Sequence, residues 1–335
     1  RCLSDWSSDV CSSDLPRRLR LNRWAEQRMD GVMRQGGEGR GWQPVPVHQV
    51  GVYLGLPFRH YLVGMVALGL LVFPVAWAAG GVSETVSLSL GWAAGDPAIR
   101  RITNLLALAA IILVLGVVVN MQGRSLMSVV APQQHLDLGM MGRSALTYAL
   151  AFTPVLVMAV MSGQLSVGDW QVALALLPMM LVLVALQATA EEMVCRGYMA
   201  QGFQVLFGHA ALAALPVAVI FLSLHDTGAW DQGWDRKANI LMISLALSWL
   251  TARAGRLEPA MGVHFAHNLI VFTLAARPDH GLPSVSGFDE DFPDQSFSIN
   301  ALLAQTLVYA AVCANYWFIG LRTGFVAGVW RERVE

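Results

Sequence analysis

Residues 171–196 read QVALALLPMMLVLVALQATAEEMVCR. The first twenty carry no charge, which is the length a helix needs to cross about 30 Å of hydrocarbon. Two glutamates and an arginine then follow without a break. At 100° per residue Glu192 and Arg196 are i,i+4 neighbours on one face and can pair, while Glu191 points about 100° away. One carboxylate is neutralised and the other is left free. A helix end reaching the headgroups with an ordinary salt bridge would give the same local pattern, so the meaning depends on the rest of the chain.

That rest is apolar too. Of 335 residues, 55% are hydrophobic and 13% are Asp, Glu, Lys or Arg, with mean hydropathy +0.51 and net charge −1. Soluble globules carry roughly 25% charge. Further apolar windows lie at about 61–79, 102–121, 145–162 and 300–320, with shorter ones at 210–224, 238–251 and 259–276. The expected fold class is an all-α polytopic membrane bundle of about eight transmembrane helices. No basic footprint marks a nucleic-acid partner. No Walker or dinucleotide fingerprint appears, and the four cysteines lack disulfide or zinc-finger spacing.

In an eight-crossing arrangement sixteen basic residues, among them Arg59, Arg124, Arg143, Arg196, Arg253, Arg256 and Arg322, fall on one side. Only Arg100, Arg101, Arg236, Lys237 and Arg277 fall on the other. The positive-inside rule then makes both termini cytoplasmic. Acidic Asp289–Asp291 and Asp294 lie outside, and Trp77, Trp92, Trp170, Trp230 and Trp234 fit an interfacial belt. Residues 1–15 resemble a translated sequencing-library adapter and are set aside as an artefact. Residues 16–58 read as a basic cytoplasmic arm, 59–144 as two amino-terminal crossings with their loops, 145–322 as the core, and 323–335 as a cytoplasmic tail.

Ionisable groups within membrane segments cost about 2.5–3.5 kcal/mol each on insertion scales, so each asks for a reason. Beside Glu191, Glu192 and Arg196 stand two more clusters. In 221–225, FLSLH, i,i+4 spacing puts Phe221 and His225 on one face. In 264–268, HFAHN, His264 and Asn268 share a face and can present donors to one point; His267 is the more structural histidine. Singly, each pattern also suits interfacial placement or helix–helix hydrogen bonding.

Taken in order, EExxxR, FxxxH and HxxxN on successive membrane helices resemble the CPBP family of intramembrane proteases, which includes type II CAAX prenyl proteases and the bacterial Abi proteins. The resemblance covers roughly residues 145–320. It implies peptide-bond hydrolysis in a wet cavity among helices, in a bacterial inner membrane, on a membrane-associated peptide or protein. Glu191 and His225 would activate water, and His264 and Asn268 would stabilise the oxyanion. Glu192 and Arg196 would position the first helix, with Phe221 supporting. The rival functions are a non-proteolytic scaffold or immunity protein of the same fold, and a transporter. A transporter should show inverted halves, whereas here the ionisable clusters sit in the second half alone.

The chemistry suits the residue types. A poorly solvated carboxylate moves toward the range of a general base, and an imidazole with a carboxamide can supply oxyanion donors. Two histidines and a glutamate also make an acceptable catalytic zinc shell, so Glu191, His225 and His264 are the ligands if a metal is held. HExxH is absent, and Asn268 is a poor zinc ligand but a good donor. No obligatory metal is therefore expected.

Simple segmentation places Glu191 and His225 at opposite membrane ends. Their meeting requires the helix of Glu191 to run on through Arg196 to about Phe207, with Gly208 as a left-handed cap.

Overall fold

The computed structural model describes residues 46–91, 97–131, 135–161, 166–167, 170–225, 234–273, 288–289 and 299–323. Its helices are α1 (Val50–Tyr53), α2 (Phe58–Ser89), α3 (Pro97–Met121), α4 (Leu138–Met161), α5 (Trp170–Glu192), α6 (Ala200–Phe207), α7 (Ala210–Ser223), α8 (Trp234–Ala254), α9 (Glu258–Thr273) and α10 (Ile299–Thr323). A π-helical segment, Met193–Met199, joins α5 to α6. Among the described residues the fold is all-helical except for a two-residue antiparallel pair, β1 (Ser166–Val167) with β2 (Phe288–Asp289). The adapter-like 1–15, the arm up to residue 45, Trp92, Trp230, most of the acidic 289–294 stretch and the tail beyond Thr323 lie outside the described residues.

The described parts of the eight apolar windows fall on helices. Among the described residues four stretches are long and apolar enough to cross a membrane: Phe58–Ser89, Ile102–Met121, Leu138–Met161 and Leu177–Phe207. Ala210–Ser223 and Leu302–Phe318 are apolar but shorter. Their outward side chains are apolar as well, with Phe73 74% and Trp77 78% exposed. Lipid is the medium in which such a surface carries no penalty.

The extension of α5 is present. Leu177–Phe207 forms one continuous helical stretch, and Gly208, at φ +68°, donates its N–H to the Gln204 carbonyl as the left-handed cap. What spacing did not indicate is the π-helical turn immediately after the glutamates. Here the backbone of Gly197 lies against the Val129 carbonyl, so close that a Cβ would sit 2.4 Å from its oxygen. This is a contact made by sequence-distant chain, not a local preference.

At the centre of the bundle is α9, packed against α4, α5 and α8. Gly262 permits the closest approach: a Cβ there would meet the Met141 carbonyl oxygen at 2.1 Å and the Ser144 Cβ at 2.9 Å. Small residues let membrane helices come together this way. Gly262→Ala is expected to cost at least about 1–3 kcal/mol by overpacking. Gly142→Ala, where nothing lies within 4 Å of the added carbon, should be neutral. Melting in detergent, compared between the two variants, checks this.

Two features go beyond the sequence reading. The end of the stretch read as a cytoplasmic arm packs on the bundle: Val47, Val50 and Leu54 are buried, Val47 N–H donates to the Gly255 carbonyl at 2.8 Å, and Gln201 donates to the Val47 carbonyl. Arg124, Arg196 and Arg256, counted with loop charges, are buried because each has polar partners inside. Arg124 donates to Tyr61 and Gln201, Arg196 to Glu192, and Arg256 to Glu258 and the His135 carbonyl.

The packed lead-in has a consequence for pH. His48 is 4% exposed, and among the described residues both its ring nitrogens lack hydrogen-bond partners. Burial lowers its pKa from 6.5 to about 4. A depressed folded-state pKa means the contribution to stability is complete above pH 6.5 and is lost as pH falls toward 4. The loss should reach roughly 3 kcal/mol. Hydrogen-exchange protection factors of residues 46–56, taken relative to intrinsic exchange at each pH, should fall over that window in the native sequence and stay level in His48→Leu.

Candidate active site

The site is assembled from α5 with the π-helical turn that follows it, α7 with the chain just past its end, and α9. From α5 come Gln187, Glu191 and Glu192; from the π-helical turn, Arg196; from α9, His264 and Asn268. Phe221 lies in α7, with His225 just past its end.

Glu192 and Arg196 are both fully buried and pair at 2.9 Å. The guanidinium also donates to Ser244 Oγ on α8 at 2.7 Å and sits 4.3 Å from the centroid of the Phe221 ring. One cation thereby ties the π-helical turn to two further helices. A buried charge left without its partner is costly, so this tie holds the turn in one position.

His264, 3% exposed, stands between the two glutamates. Its Nδ1 lies 2.7 Å from Glu192 Oε1, and its Nε2 lies 3.6 Å from Glu191 Oε2. Since the glutamates are sequence neighbours pointing in different directions, they meet opposite edges of one imidazole. A carboxylate only accepts, so Nδ1 carries the proton in the Glu192 bond. Nε2 is then an acceptor, and Asn268 Nδ2 donates to it at 3.0 Å. The same Nδ2 donates to Gln187 Oε1 at 2.9 Å, and Gln187 Nε2 donates to Glu191 Oε1 at 2.5 Å. Glu191 Oε2 is buried and has no hydrogen bond among the described residues.

His225 donates from Nδ1 to the Phe221 carbonyl at 2.7 Å, which leaves Nε2 as a lone pair. Its ring packs on Phe221 at 4.4 Å between centroids, and Phe221 in turn stands edge-on to His264 at 6.0 Å. Phe221 is thus the partition between the histidines. Glu191, Glu192, His264 and Asn268 are linked directly; His225 joins them through that ring.

Gln187 and Ser244 were not indicated by the sequence patterns. Gln187 lies one helical turn before Glu191 in an otherwise apolar run, the only signal that could have found it. His267 belongs to another network, with its Nδ1 2.7 Å from the Tyr148 hydroxyl and 3.4 Å from Gln305 Nε2.

Among the described residues no three His, Cys, Asp or Glu side chains come together as a metal-holding group. His264 has both nitrogens engaged, on Glu192 and Asn268. This arrangement does not fit a three-ligand zinc shell, and no chemistry is derived through one.

No curated protein and no solved structure matches the chain. Residues 173–270 match a protein family described as "Type II CAAX prenyl endopeptidase Rce1-like". That span runs from within α5 to within α9 and includes all nine residues from Gln187 to Asn268 that make the contacts above, Ser244 among them. Over these residues the chain is similar to the type II CAAX prenyl endopeptidases, a protease family.

Proposed function

We propose that this chain is an intramembrane endopeptidase that hydrolyses a membrane-associated peptide or protein with water activated by Glu191 and His225. The observation that carries the reading is the free, buried oxygen of Glu191, Oε2, facing His264 Nε2 across 3.6 Å. In the proposed reaction the water lies between Glu191 Oε2 and the lone pair of His225 Nε2. Glu191 removes a proton as the water oxygen attacks the scissile carbonyl. The proton passes to His264 Nε2, and the imidazolium so formed is stabilised by Glu192 on its other edge. Nε2–H and the Asn268 amide then donate to the oxyanion, and the proton returns to the leaving nitrogen. Arg196 and Phe221 keep the carboxylates and rings in place.

The proposal extends to setting. The chain crosses a bacterial inner membrane eight times with both termini cytoplasmic, 145–322 forming the protease core behind the two amino-terminal helices of 59–144. Lipid and a peptide substrate are its partners.

The test is cleavage by purified protein in detergent of two internally quenched peptides, one ending in a farnesylated CAAX tetrapeptide and one spanning a micelle without a lipid group. Cleavage of either supports hydrolysis, and the preference identifies the substrate class. Failure on both, at enzyme concentrations equal to substrate, counts against proteolysis. Turnover should survive chelation and dialysis. Stoichiometric zinc whose removal abolishes activity and whose return restores it would overturn the metal-free mechanism.

A further inference from the structure

We propose that Gln187 is a positioning residue that decides which oxygen of Glu191 is the base and which way the Asn268 amide faces. This rests on the proteolytic reading above. Gln187 is 3% exposed and sits in a stretch of α5 where every near neighbour in sequence is uncharged until Glu191. It uses both ends of its amide. The N–H end engages Glu191 Oε1 at 2.5 Å, and the carbonyl end takes a hydrogen from Asn268 at 2.9 Å.

Those two bonds settle an otherwise ambiguous pair of groups. A carboxylate rotates readily and presents either oxygen; with Oε1 tied by Gln187, Oε2 alone is presented toward His264. A carboxamide can flip and present oxygen where a donor is needed. With the Gln187 carbonyl accepting from Nδ2, the Asn268 amide is held with its hydrogens toward His264, the orientation an oxyanion requires. Gln187 touches no reacting atom and works through Glu191 and Asn268.

Two substitutions separate the hydrogen bonds from the shape. Gln187→Met keeps the volume and removes both bonds; Gln187→Glu keeps length and outline but loses the amide donor. Assayed with the quenched peptide that the native protein cleaves, both should lower kcat about 10- to 100-fold, the scale of a misplaced reacting group, with KM within about twofold. A second measurement needs no turnover: in isotope-edited infrared spectra of protein carrying ¹³C-glutamate, the carboxylate band lost in Glu191→Gln should shift in Gln187→Met. Native kcat in Gln187→Met, a loss confined to KM, or an unmoved Glu191 band each overturns the proposal. The outcomes are distinguishable from failure of the proteolytic reading. Native turnover by Glu191→Gln sinks the base assignment; an inactive Glu191→Gln beside an unaltered Gln187→Met sinks only the role of Gln187.

Discussion

Glu191→Gln is expected to lower kcat by about 100- to 10,000-fold, the range general-base removal spans, while the folded protein accumulates normally. The second half follows from the contacts. Glutamine has the same outline, and its carbonyl can still accept from Gln187 Nε2 as Oε1 does. Its new amide hydrogens would point at His264 Nε2, an acceptor in the resting site. Nothing buried is left worse satisfied, so the melting temperature should lie within a few degrees of the native value. The first half follows because the oxygen without a hydrogen bond is the one replaced, and an amide nitrogen has no basic lone pair to offer water. Peptide cleavage and detergent melting on the same preparation read both halves; near-native turnover refutes the base role.

Arg196→Ala should do the opposite and remove the protein before it removes the chemistry. Glu192 is fully buried, and its partners are Arg196 and His264. Taking the arginine away strands a carboxylate and also gives up the Ser244 bond and the stacking on Phe221. Breaking a buried pair from one side costs about 3–5 kcal/mol. Much of the variant should therefore be lost from the monodisperse peak in size exclusion. Arg196→Met combined with Glu192→Gln removes both charges together and should recover a large part of that loss without recovering activity. If Arg196→Ala alone melts like the native protein, the pair is not what holds the π-helical turn.

The contrast between these variants also shows what a single sequence can reveal. The pairing of Glu192 with Arg196, the stacking of Phe221 with His225 and the shared face of His264 and Asn268 are all i,i+4 relations, fixed by helix pitch and therefore legible. The continuation of α5 to Gly208 was legible for a different reason, from the need for Glu191 and His225 to meet and the presence of a glycine cap. Gln187 was not, because an uncharged amide in an apolar run breaks no rule, and its partner Asn268 is 81 positions away. The π-helical turn and the docking of residues 46–56 depend on Val129, Gly255 and Gln201, distant groups whose approach no local pattern encodes. Buried arginines are misread by any rule that counts basic residues toward loops, since the count does not see the carboxylate or carbonyl that draws each one inside.

The two hydrogens of the Asn268 amide are both committed before any substrate arrives, one to Gln187 and one to His264. A neutral carbonyl entering the site must compete for a bond already made, and gains little by winning it. A negatively charged oxygen competes on far better terms, since charge-assisted hydrogen bonds are about twice as strong as neutral ones. In the proposed mechanism, then, the site discriminates against the ground state: affinity for intact peptide comes from contacts elsewhere on the substrate, and the amide's contribution appears only as charge develops, where it raises turnover instead of retention.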